Sequence, residues 1–174
     1  LTEIGQSVTL LTPIGVARYL SAIVNGGYVY DATLIKSIIS PDGKITNEGR
    51  PKLVRELNIN AEYVDAIKEG MAEVVSQEDG GTAGRYFTNF KYLDEIGGKT
   101  GTAEISDIDL ENNAWFIAFA PFDQPEIAVV VMIPNGYSGG LASYTAREII
   151  EYYLDEKYSE EEAPQLPAAY EITP

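Results

Sequence analysis

A chain of 174 residues is long enough for one domain with a real core, and 45% apolar with 22% charged residues is the composition of an ordinary folded protein. The formal net charge of −15 repels phosphate backbones and argues against nucleic-acid binding. There is no cysteine and no histidine, which excludes disulfides, thiolate nucleophiles, zinc–thiolate sites, His-ligated metals and a Ser-His-Asp triad built from this chain, and leaves proton transfer near neutral pH to lysine, carboxylate or tyrosine.

No apolar run approaches the roughly 18 residues needed to span a membrane, and no signal peptide is visible. The sequence opens Leu1-Thr2-Glu3 without methionine, as expected of a piece of a longer protein. Thr12-Pro13 starts a first helix: threonine caps free N–H groups, and proline has none to satisfy in the first turn. Ile14, Ala17, Leu20, Ile23 and Val24 follow at helical spacing, and Asn25-Gly26-Gly27 stops the helix. Tyr28 to Ile39 reads as short extended segments, Pro41 to Lys44 as a turn, and Ile45 to Asn60 as a surface stretch of weak periodicity.

A second helix begins near Asn60, with Val64, Ile67, Met71, Val74 and Val75 as its apolar stripe and Gly80-Gly81 beyond its end. Residues 82–95 form a loop carrying Tyr86, Phe87, Phe90 and Tyr92. Three strands follow, at about 96–105, at Ala114 to Ala120 and at Ile127 to Ile133, the last two joined by a turn from Pro121 to Pro125. Both of those are apolar on both faces and need cover on each; Trp115, Phe116 and Phe119 are core aromatics. Ser143 or Thr145 is expected to cap a last helix that buries Ala146, Ile149, Ile150, Tyr153 and Leu154. From Asp155 a Glu-, Pro- and Ala-rich tail begins, so residues 1–154 form the domain and 155–174 the tail. The order predicts an α+β fold, an antiparallel sheet flanked by helices.

The chemistry concentrates at Gly97-Gly98-Lys99-Thr100-Gly101-Thr102-Ala103-Glu104. A phosphate-binding loop is excluded, because the glycine it needs five positions before Gly98 is Leu93. Asp107, Asp109 and Glu111 read as a solvated loop; no glycine turn or closing glutamate makes them a calcium site.

Lys99-Thr100-Gly101 on a strand, followed by Thr102, resembles one of the three elements of the active-serine penicillin-recognising enzymes. The resemblance extends over about residues 4–154 and is to class B penicillin-binding proteins. It is carried in order by Ile4 to Ser7, Thr12-Pro13, Asn25 to Gly27, Gly70-Met71, Gly81-Thr82-Ala83, Asn113 to Pro121, Pro125 to Val131 and Asn135-Gly136. It implies the C-terminal part of a D,D-transpeptidase domain with a partial penicillin-binding protein/serine β-lactamase-like fold.

Carried over residue by residue, it places Lys99 in a catalytic role beside the substrate carboxylate. Thr100 and Thr102 donate to that carboxylate, Gly101 keeps the strand clear, the Thr102 N–H forms half of an oxyanion hole, and Glu104 edges the groove. Implied partners are the peptidoglycan stem peptide, running along the strand, and β-lactams that imitate its end. No metal or cofactor is implied. The parent protein is expected on the outer face of the bacterial cytoplasmic membrane, held by an N-terminal anchor.

The chain departs from that pattern in three places. It has no Ser-x-x-Lys and no Ser-x-Asn, both upstream in the family; Thr33 to Lys36 has the first spacing but offers threonine on an extended segment. Asn113 stands where many relatives have histidine. This chain alone is therefore expected to be inactive, to lack part of its own domain and to self-associate through open apolar faces. Two alternatives stand beside this reading. A β-lactamase or penicillin-sensing receptor domain is opposed by the 115–121 and 127–135 segments; a non-catalytic cell-wall assembly module would keep the fold without the chemistry.

Overall fold

The computed structural model describes residues 10–104 and 110–162, with the backbone alone at 160–162. Helix α1 spans Pro13–Val24. Four short strands follow, β1 Tyr28–Tyr30, β2 Ser37–Ile39, β3 Ile45–Glu48 and β4 Leu53–Glu56, then α2 Ala61–Val75, β5 Gly97–Ala103, β6 Asn113–Ala120, β7 Ile127–Ile133 and α3 Gly139–Glu162. The main sheet is antiparallel in the order β5-β6-β7.

Alternation along β6 sorts the two faces. Ala114, Phe116, Ala118 and Ala120 join Ala142, Ala146, Ile150 and Leu154 of α3 in one cluster. Alanines on both sides let helix and sheet approach closely, with Phe116 filling the centre. Ile117 and Phe119 face the other way, toward Leu20 and Val24 of α1 and Met71 of α2. Phe116 and Phe119 are fully buried, each contributing roughly 1.5–3 kcal/mol from the area removed from water. Trp115 is half-buried.

The helix starts follow their caps. Thr12 Oγ1 accepts from Gly15 N at 3.2 Å, and Asn60 Oδ1 accepts from Glu62 N at 3.0 Å. The expected stripe of α2 needs one correction: Ile67 is 42% exposed, and Lys68 is 8% exposed. The Lys68 ammonium lies 4.8 Å from the Phe122 ring centre and donates to Asp123 O at 3.4 Å, so stem and charge both find partners there. Ile149, expected inside, is also exposed.

The last helix starts earlier than expected. Neither Ser143 nor Thr145 caps it; Ser143 is buried inside the helix and its hydroxyl donates to Gly140 O at 2.6 Å. Gly139 and Gly140, which precede the expected caps, form the first turn, pressed against Gly101 and Trp115 backbone and against Tyr86, where side chains would not fit. The helix also runs on through the expected tail start at Asp155 to Glu162. Leu154 is buried, Tyr158 donates to Glu95 at 2.9 Å, and Lys157 pairs with Glu126 at 2.8 Å, so this stretch is anchored although its composition is acidic.

Residues 45–60 are more regular than expected. β3 pairs with β2 and β4 with β1, as two separate two-stranded ribbons. Every residue of β3 and β4 is exposed, so no buried face left a periodicity to read. This arm enters and leaves the domain at one point: Leu57 N donates to Gly27 O at 2.9 Å, and Gly27 has φ +102° where a Cβ would meet the Leu57 carbonyl. Asp107 and Asp109 lie outside the described residues, and so does the tail beyond 162.

Candidate active site

Strand β5 carries the Lys-Thr-Gly element on an edge of the main sheet. Its first two residues are bare for a steric reason. A Cβ on Gly97 would meet Phe119 and Met71, and one on Gly98 would meet Phe116 and Val75. Helix α2 therefore abuts the start of β5 directly and fixes its height above the core.

From Lys99 onward the strand opens. Lys99 is exposed, on the side of the strand shared with Gly97 and Gly101, and its Nζ donates to Thr100 O at 2.8 Å. That bond brings the ammonium back along the edge to Thr100. Thr100 points to the opposite side, its Oγ1 2.8 Å from Thr82 Oγ1. Gly101 pairs with Trp115, and a Cβ there would meet Trp115 Cβ at 3.2 Å. Thr102 is exposed, and its Oγ1 accepts from Gly139 N at 3.3 Å. Glu104 is exposed, just past the strand end.

Two flanking segments hold these hydroxyls. The turn after α2 brings Thr82, which belongs to the family-like Gly81-Thr82-Ala83 segment and has no role in the residue-by-residue resemblance. The loop after β7 brings Gly139. Asn135 N donates to Asn113 Oδ1 at 3.1 Å and Tyr137 N to Asn112 O at 3.0 Å, so Asn113 ties the loop to the sheet. Asn135 and Tyr137 take φ of 53° and 67°, left-handed backbone that bends the loop back toward Gly139. The signals for both segments were short: Gly81-Thr82-Ala83 behind a helix, and a glycine pair before one.

The profile of the penicillin binding protein transpeptidase domain matches residues 1–151. The chain belongs to the penicillin-binding protein transpeptidase family. It is 30% identical to the peptidoglycan D,D-transpeptidase MrdA of Haemophilus influenzae, over 94% of this chain and 27% of that one. Penicillin-binding protein 2B of Streptococcus pneumoniae is 31% identical, over 82% of this chain and 22% of the relative. Among solved structures, the imipenem acyl-enzyme complex of penicillin-binding protein A from M. tuberculosis superposes with a TM-score of 0.70 at 32% identity, over 88% of this chain and 33% of that one. These relatives agree with the class B assignment drawn from motif order. The chain spans about a quarter of the length of the curated relatives it matches. This penicillin-binding protein chain thus pairs a family sheet with a Lys-Thr-Gly edge strand and, by its sequence, no Ser-x-x-Lys.

Proposed function

We propose that this chain supplies one wall of the acyl-transfer cleft of a peptidoglycan D,D-transpeptidase, and that the nucleophilic serine comes from sequence outside it. In the reaction, a serine oxygen bonds to the penultimate D-Ala carbonyl carbon of a stem peptide and the terminal D-Ala leaves as the amine. The amine of a second stem peptide then takes the acyl group and frees the serine. The observation that carries the reading is the place of Lys99-Thr100-Gly101-Thr102 on an edge strand. There a peptide can add as a further antiparallel strand while these side chains reach its end.

In that arrangement the Lys99 ammonium and the Thr100 and Thr102 hydroxyls bind the substrate carboxylate. The Thr102 N–H gives a fixed dipole to the oxygen that becomes negative, Gly101 leaves room for the peptide backbone, and Glu104 borders the groove. β-Lactams take the same path, in keeping with the acyl-enzyme complex of the mycobacterial relative. The domain works outside the cytoplasmic membrane, tethered by an anchor in the longer protein. The exposed apolar residues before and within α1 and in the arm, Leu10, Ile14, Leu34 and Ile35, are covered there by the rest of the domain.

Fluorescent penicillin tests this reading. The isolated chain takes no covalent label. The full-length protein takes one label on a serine outside this sequence, and Lys99→Ala removes most of it without changing the melting temperature, since Lys99 is exposed. Stoichiometric labelling of a serine in the isolated chain would overturn the proposal.

A further inference from the structure

We propose that Thr82 is a positioning residue of this site, one that sets the direction of the Thr100 hydroxyl for recognition of a ligand carboxylate. The inference rests on the transpeptidase reading and concerns a residue to which that reading gives no part.

The argument begins with proton count. The Thr82 and Thr100 hydroxyl oxygens are 2.8 Å apart, so one donates to the other. A threonine hydroxyl has a single proton. If Thr100 is to donate to a carboxylate, its own oxygen must be the acceptor from Thr82. The chain then runs from the Thr82 hydroxyl to Thr100 Oγ1 and from the Thr100 hydroxyl to the carboxylate. Each bond polarises the next, and the effect is strongest when a ligand excludes water from the pair.

Thr82 is well built for that task. Gly81 N donates to Ser76 O at 2.9 Å and Ala83 N to Val74 O at 2.9 Å, so the residues on both sides of Thr82 are fastened to the end of α2. Gly81 lies so close to the Glu73 and Val74 carbonyls that no Cβ fits, and Ala83 is fully buried. The same helix abuts Gly97 and Gly98. Thr82 and Thr100 therefore share one rigid support, although they are 18 positions apart. At the neighbouring position Gly139 N donates to Thr102 Oγ1, so both strand hydroxyls are oriented from outside β5, by two separate segments.

The test compares acylation of the full-length protein by a β-lactam acid and by its methyl ester. Thr82→Val keeps the shape and removes the hydroxyl; Thr82→Ser keeps the hydroxyl. The expected result is that Thr82→Val slows acylation by the acid about fivefold, the worth of one ordinary hydrogen bond. The same change leaves the rate with the ester as in the unmodified protein. Thr82→Ser restores the acid rate, and melting temperatures stay together because the pair is exposed. Should Thr82→Val fail to fold, Thr82→Ala carries the same comparison. Equal rates with the acid overturn the proposal, and so does an equal loss with acid and ester, which marks a merely structural role. If the unmodified protein is not acylated and Lys99→Ala changes nothing, the transpeptidase reading itself falls and takes this inference with it.

Discussion

Gly97, Gly98 and Gly139 are missing side chains because other atoms occupy the space. The first two face the side chains of Met71, Val75, Phe116 and Phe119, while Gly139 faces the backbone of Gly101 and Trp115. Side chains yield by changing rotamer; paired strand backbone does not. Gly139→Ala is therefore expected to be the more damaging change, costing about 1–3 kcal/mol by overpacking against atoms that cannot move. Gly98→Ala is expected near the lower end of that range. Urea midpoints of the two variants check the order, and a Gly139→Ala protein as stable as the parent would refute the contact.

Helix α3 is held at its C-terminal half by pairs that its composition hides. Asp155 accepts from Tyr92 at 2.7 Å and pairs with Lys91 at 2.5 Å; Glu126 accepts from Lys157 at 2.8 Å and Tyr153 at 2.9 Å. Hydrogen bonds from Lys91, then Tyr92, hold the Asp155 carboxyl below its ordinary value of 3.8, and bonds from Lys157, then Tyr153, hold Glu126 below 4.5. A carboxylate with a depressed folded pKa contributes stability above its unfolded pKa and loses it as pH falls through the folded one. The end of α3 is expected to loosen first on acidification, starting near pH 4.5 and continuing below 3.8. Amide exchange in α3 against pH measures this, and Asp155→Asn should flatten the response. A helix end equally protected at pH 7 and at about pH 3 would contradict it.

The same element shows what a sequence can and cannot reveal. β6 and β7 are continuous apolar runs, the Thr12-Pro13 cap is local chemistry, and the α2 stripe places its start near Asn60, so all four are legible. The Lys-Thr-Gly element was legible because its residue types are few and adjacent. The Ser143/Thr145 cap was a misreading, because a glycine pair signals a turn unless one knows what lies against it. The end at Asp155 was a misreading too: Tyr158 and Lys157 are anchored by Glu95 and Glu126, more than 30 positions away. Thr82 escaped for the same reason, since its partner is set by how α2 meets β5. Contacts across elements are where local pattern gives out.

At the scale of the whole molecule, the main sheet is covered on both faces, while α1 and the arm leave apolar side chains open. A cavity of about 1050 Å³ lies between them, lined by Ile14, Tyr28, Tyr30, Leu34, Ile35 and Pro51, among others. Leu34 is fully exposed and Ile35 is 58% exposed. The isolated chain is expected to self-associate through this side as concentration rises, and Leu34→Glu with Ile35→Lys to shift it toward monomer with no loss of melting temperature. Light scattering across a concentration series decides it; a parent chain that is monomeric throughout would remove the need for a partner.

The closure at Gly27 and Leu57 makes the arm a cassette. Its two ends are closed by the Leu57 N–Gly27 O hydrogen bond and zipped together by the β1–β4 pairing, so the length and sequence of the part beyond that ladder are uncoupled from the path the chain takes into α2. The Pro41 to Lys44 turn joins two strands that pair with each other and belong to no larger sheet. It is thus a natural place to graft an epitope or attach a dye, a handle by which the molecule can be followed while its cleft is left alone.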